Sequence, residues 1–244
     1  MKWKKYSVIL ISAIALIISE QIIYACGGAY YYYPHNAQFF GKIADKETAL
    51  YVEEAGADFI GFVFAPSSRR IAPVQAKKIA KHLSTKIKKV GVFVDEPIQN
   101  IHHIAKLVGL DYIQLHGNEP ISVANQINYP IIKAFSIHQV NPSTIPYYPC
   151  DYFLIDSPGV KYRGGSGNVF NWDVLEELEI DKNKLILAGG LSDANVKEAI
   201  KTVQPVGVDV SSGVESDGMK NHFKIQQFLN QAKYTGSERK VDIN

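Results

Sequence analysis

The chain has 244 residues, 46% of them hydrophobic and 20% charged, which is enough for a buried core and too well mixed for a disordered segment. A formal net charge of +2 gives no global basic field; this argues against nucleic acid and leaves a small anionic ligand needing only a local site. The seven histidines show no metal-ligand spacing, so no metal is expected, and the two cysteines, Cys26 and Cys150, define no disulfide framework.

The first forty residues differ from the rest. Lys2, Lys4 and Lys5 precede an apolar run over residues 6–18, the charged and apolar regions of an export leader, and the run is short for a membrane span. Ile23-Tyr24-Ala25-Cys26-Gly27 is similar to a lipobox with Cys26 as the acylated residue. Residues 1–26 are therefore expected to be a leader, with membrane attachment or export if it is used. The other reading is a start-site or frameshift artefact ahead of a cytoplasmic domain. Residues 27–40 hold two glycines, four consecutive tyrosines and Pro34 without a persistent period, and are expected to be an irregular linker.

From residue 41 to 234 the pattern alternates helix and strand, leaving a polar tail over 235–244. Asp45 can cap a helix over 46–55, and 58–64 is a buried strand. Pro73 opens a helix to 83, followed by a strand over 89–94. Pro97 opens the next helix, to 107, followed by a strand over 112–115. Pro120 starts another helix, and strands follow over 131–135 and 152–155. Helix 171–178, strand 185–188, helix 193–203, strand 207–210 and helix 220–232 complete the series. Seven strands, plus whatever precedes Asp45, predict a (β/α)8 barrel with an altered or poorly defined first strand. The runner-up, an open doubly wound sheet with a dinucleotide site, would need Gly-x-Gly-x-x-Gly after the first strand, and none stands there.

Barrel chemistry sits at the C-terminal ends of the strands. Those ends carry Ser67-Ser68-Arg69-Arg70, Asp95, His116-Gly117, Asp156-Ser157, Gly189-Gly190 and Ser211-Ser212-Gly213, while Lys133 lies within the strand over 131–135. Paired glycines often serve a tight turn, but Gly189 and Gly190 with Ser211, Ser212 and Gly213 match the phosphate site that barrels build after their last two strands. Arg69 is either a solvated loop residue or an anion contact. Asp156 ends an apolar strand, where an unpaired carboxylate is costly and points to function. His116 caps a turn or touches substrate.

The motifs Gly61-Phe62-Val63-Phe64-Ala65-Pro66-Ser67-Ser68-Arg69, Gly91-Val92-Phe93-Val94, Gln114-Leu115-His116-Gly117, Gly164-Gly165-Ser166-Gly167, Phe170-Asn171-Trp172, Leu187-Ala188-Gly189-Gly190-Leu191 and Val208-Asp209-Val210-Ser211-Ser212-Gly213-Val214-Glu215 resemble those of phosphoribosylanthranilate isomerases of tryptophan biosynthesis, over residues 46–233. The resemblance implies a cofactor-independent, cytoplasmic, aldose–ketose isomerase that performs an Amadori rearrangement of N-(5-phosphoribosyl)anthranilate. It implies Asp156 as general acid, Arg69 holding the anthranilate end, and the last two strand ends holding phosphate. The family's general base is a cysteine in a Lys-Ile-Cys-Gly segment ending the first strand. Here Gln38-Phe39-Phe40-Gly41 or Lys42-Ile43-Ala44-Asp45 stands in its place. Cys26 would reach the position only across a longer loop, Cys150 is expected at the far end of its strand, and Asp45 reads better as a helix cap. The alternative function is an inactive or exported barrel that binds a phosphorylated small molecule without turnover.

Overall fold

The computed structural model describes residues 7–10, 24–26, 29–31, 44–67, 70–137, 145–156, 175, 180–216 and 219–237. Eight parallel strands close into a barrel. In chain order they are β1 (Ser7–Leu10), β4 (Phe59–Val63), β5 (Lys88–Phe93), β6 (Tyr112–Leu115), β7 (Ile131–Ser136), β8 (Tyr152–Asp156), β9 (Leu185–Ala188) and β10 (Gly207–Val208). Between β1 and the rest, β2 (Tyr24–Cys26) and β3 (Ala29–Tyr31) form a separate antiparallel hairpin.

β1 closes the barrel. Ser7 and Val8 pair with Gly207 and Val208, and Ile9 and Leu10 pair with Phe59 and Ile60. The strand comes from the segment expected to be an export leader, and Ala29–Tyr31 is strand where an irregular linker was expected. The physical reason is that a strand buried on both faces of a parallel barrel reads as an uninterrupted apolar run, which is also how the core of a leader reads. No helix among the described residues is long and apolar enough to cross a membrane.

The period-two alternation of the strands divides the core in two. Phe59, Val63, Val90, Val92, Ile132, Ala134, Leu154, Ile186 and Ala188 fill the barrel interior, with Tyr112 and Tyr152 packed against them. Phe59 meets the Tyr112 ring edge-on at 5.2 Å, which fills the N-terminal end of the interior with aromatic rings. The alternate residues Ile60, Phe62, Phe93, Ile113, Leu115, Phe153, Ile155, Leu187 and Val208 face the helices.

The helices meet that outer layer through apolar stripes. In α3 (Ile98–Val108) the buried residues Ile101, Ala105 and Val108 recur at helical spacing, and the helix ends on Gly109, whose left-handed φ of 75° lets its N–H cap the Ala105 carbonyl. In α5 (Val196–Val203) the stripe is Val196, Ala199, Ile200 and Val203. α1 (Ala44–Glu54), α2 (Pro73–Ala80), α4 (Ile121–Ala124) and α6 (His222–Ser237) complete the ring of described helices. α1 begins at Ala44, so Asp45 lies inside it rather than at its cap, and α6 runs three residues into the segment read as a tail. The helix expected over 171–178 lies outside the described residues except for Leu175.

Gly91 shows how closely the layers meet. A β-carbon there would stand 2.4 Å from a Leu110 methyl and 2.8 Å from the Phe93 ring. Gly91→Ala is expected to destabilise the barrel by about 1–3 kcal/mol through overpacking, seen as a lower urea midpoint with an unchanged slope; an unchanged midpoint would show that the layers are looser than this.

Candidate functional site at the C-terminal mouth

The same alternation decides which strand-end residues face the mouth. In β8, Tyr152 and Leu154 point inward, so Asp156 does as well, beside Ala188 of β9. Removal from water raises its carboxyl from the usual aspartate range to about 7. A carboxyl of this kind keeps a large protonated fraction at neutrality, where an ordinary aspartate is fully ionised, and can donate a proton.

In β6 the inward residues are Tyr112 and then the fully buried Gln114, and the following turn places His116 above them. The Gln114 Nε2 donor lies 2.7 Å from His116 Nδ1. With that nitrogen accepting, the ring proton sits on Nε2. Burial, with Lys133 nearby, lowers the His116 pKa to about 3, so the ring is neutral at physiological pH and serves as a hydrogen-bonding group rather than a charge.

Lys133 faces the other way. It alternates with the inward Ile132 and Ala134, and its Nζ donates to the Gly117 carbonyl at 2.6 Å and to Glu119 Oε2 at 2.7 Å. Both side chains of this ion pair are nearly inaccessible, at 3% and 2% exposed. Glu119 also accepts N–H bonds from Gly117 at 2.9 Å and Asp95 at 3.0 Å, while Asp95 accepts from the Asn118 N–H at 2.9 Å. Tyr148 donates to the Glu119 carbonyl, and the Lys133 ammonium lies 5.4 Å from the Phe135 ring centre. The network ties the exits of β5, β6 and β7 together and holds the loop that carries His116. It leaves no room at Gly117, where a β-carbon would lie 2.6 Å from Asp95 Oδ1.

On the opposite side of the mouth, the loops after β9 and β10 meet backbone to backbone. Gly189 and Gly190 adopt φ of 85° and 63°, a turn suited to glycine. A β-carbon at Gly213 would fall 1.8 Å from the Leu191 carbonyl oxygen, so only glycine permits this approach. The turn Ser212–Val214 follows, with Lys220 Nζ bonded to the Ser211 carbonyl at 2.6 Å and paired with Glu215. Asn195 braces the first loop, accepting from the Ser192 N–H at 2.8 Å and donating to the Gly190 carbonyl at 3.0 Å.

Of the residues singled out from sequence, Asp156, His116, Gly189, Gly190, Ser211, Ser212 and Gly213 all lie on strand exits around one mouth. Arg69 and the stretch containing Gly164 to Gly167 lie outside the described residues; the neighbouring Arg70 is exposed. Cys26 pairs with Ala29 in the hairpin and not on a barrel strand. Cys150 precedes β8, at the end opposite Asp156, and burial pushes its thiol up to about 12. Asp209 stands inside the Val208-to-Glu215 motif, and sequence reasoning misses it. It follows β10 between the outward Val208 and Val210, is 1% exposed, and its N–H bonds the Leu187 carbonyl at 2.8 Å. A lone carboxylate in an apolar strand was the available signal, the same one that marks Asp156. Glu119 follows a turn and carried no such signal.

The family model described as PRAI, N-(5'-phosphoribosyl)anthranilate isomerase, matches residues 41–231. Relatives bearing that name include one from Oceanobacillus iheyensis, 51% identical over 77% of this chain and 92% of its own length, and one from Listeria welshimeri, 46% identical over 79% and 94%. Among solved structures, phosphoribosyl anthranilate isomerase from Thermotoga maritima superposes with a TM-score of 0.67 at 38% identity, over 78% of this chain and 95% of that one. Another, at a TM-score of 0.66 and 36% identity over 78% and 94%, is in complex with reduced 1-(o-carboxyphenylamino)-1-deoxyribulose 5-phosphate. The family match begins after β1, β2 and β3, so these three strands stand outside it.

Removing the Glu119 carboxylate would strand the buried Lys133 charge. Glu119→Ala is expected to cost about 3–5 kcal/mol, measured by urea unfolding; a loss below about 1 kcal/mol, the range of exposed pairs, would contradict the network's role.

Proposed function

The chain belongs to the N-(5'-phosphoribosyl)anthranilate isomerase family, and we propose that its mouth performs that family's Amadori rearrangement, converting N-(5-phosphoribosyl)anthranilate to 1-(2-carboxyphenylamino)-1-deoxyribulose 5-phosphate. The observation that carries this reading is Asp156, an inward carboxyl at a strand exit whose pKa is raised to about 7. Protonated, it delivers a proton to the ribose ring oxygen as the ring opens. The phosphate is held by the paired loops at Gly189, Gly190, Ser211, Ser212 and Gly213, whose backbone approach gives a turn of amides suited to an anion. Neutral His116 offers a directional hydrogen bond to the sugar without competing for the acid's proton. Arg69 takes the anthranilate carboxylate, a role supported by its motif and the fork geometry of a guanidinium.

Cleavage of the chain before Cys26 would sever the strand Ser7–Leu10 from the segment that carries its partners in β4 and β10. This supports a chain that keeps its first segment and works in the cytoplasm, where amino-acid biosynthesis is carried out.

The pH dependence follows from the sign of the shift. A general acid with a raised pKa is competent below that value, so turnover should fall as pH rises through about 7. Because His116 is already neutral well below this range, it adds no limb there. Asp156→Asn should lower kcat by about 10²–10⁴-fold and abolish the alkaline limb, followed through the loss of anthranilate-adduct fluorescence. A variant that keeps both rate and pH profile would remove Asp156 from the mechanism.

A further inference from the structure

The rearrangement needs a base as well as an acid, and the sequence offers no cysteine where β1 ends: the strand runs Ser7-Val8-Ile9-Leu10. Among the described side chains at the mouth, His116 is a poor acceptor because its pKa is lowered to about 3. Lys133 points into the outer layer, where Glu119 holds its charge. Cys150 is at the far end of β8. Among the described residues, one further carboxylate, that of Asp209, lies on the inner wall.

We propose that Asp209 is the proton acceptor of the reaction, an assignment that rests on the isomerase reading above. The register fixes its place. Asp156 pairs with Ala188, Leu187 pairs with Val208, and the Asp209 N–H reaches the Leu187 carbonyl, so Asp156 and Asp209 flank Ala188 on the same inner face. With strands spaced by about 4.8 Å, their Cα atoms are roughly 10 Å apart. The fully buried methyl of Ala188 lies between them. Two carboxyls at that spacing, both directed into the barrel, straddle a sugar ring with room for one to serve O4 and the other C2. Asp209 also stands two residues before Ser211, where the chain enters the loop whose Gly213 meets Leu191, so a substrate anchored by its phosphate on that loop is anchored close to it.

The proton balance closes. Asp156 gives its proton to the ring oxygen as the C1–O4 bond breaks and the anthranilate nitrogen forms a protonated Schiff base. Asp209 removes the proton from C2, and the C2–H electrons form the C1–C2 double bond of the enolamine. Asp209 returns its proton to C1 while the C2 hydroxyl gives up its own, forming the ketone, and that last proton restores Asp156. No oxidant, reductant or metal enters.

The test uses the full chain, Asp156→Asn, Asp209→Asn and Asp209→Ala, each shown folded by circular dichroism. Turnover is followed by adduct fluorescence, and affinity by KM and by inorganic phosphate competition. Asp209→Asn is expected to lose about 10²–10⁴-fold in kcat with KM and phosphate inhibition changed little, and formate is expected to restore part of the rate of Asp209→Ala. Turnover by the full chain with Asp209→Asn equally active would overturn the assignment and leave the isomerase reading standing. A loss in KM or phosphate affinity instead of kcat would make Asp209 a binding group and also overturn it. No turnover by the folded full chain would overturn the isomerase reading itself.

Discussion

The ladder that closes the barrel is the constraint on which the rest depends. Ser7–Leu10 pairs on one side with β10 and on the other with β4, and this removes the two open edges an incomplete ring of strands would present. Closure makes the interior a sealed, water-poor space, and it gives every strand exit one inward and one outward residue. Asp156 is raised to about 7 because it falls on the inward side of that division. Lys133, on the neighbouring strand three residues before Ser136, the register partner of Asp156, falls on the outward side and becomes part of the scaffold.

The mouth then divides into two kinds of support. Around β5, β6 and β7, a buried charge pair with several backbone partners fixes the loop holding His116, an arrangement in which each polar group is costly unless matched. Around β9 and β10, no charge is needed at the closest approach. The backbone of Gly213 lies against that of Leu191, and the missing side chain is itself the structural requirement. A rigid polar wall and a close-packed backbone wall face each other across the inner carboxylates of Asp156 and Asp209.

Much of this was legible in the sequence. The strands over 112–115 and 185–188 coincide with β6 and β9, because buried parallel strands are short apolar runs bounded by turn residues. The strand-end residues were legible for the same reason: the end of each run marks where chemistry can face the mouth. The first strand was not legible. An apolar run behind three lysines has the pattern of a leader whether or not it pairs, and only the open edges of β4 and β10, which are far away in sequence, tell the two apart. The Glu119–Lys133 pair was hidden likewise, since fourteen residues separate partners brought together only by adjacent strands.

The claim that most directly carries the account is that residues 7–10 are a barrel strand. Hydrogen–deuterium exchange on the full-length chain tests it without altering a residue. The account predicts that the amides of β1 are protected to the same degree as those of β4 and are released together with them as denaturant is added. Exchange of β1 at the rate of an unstructured segment, with β4 still protected, would contradict it.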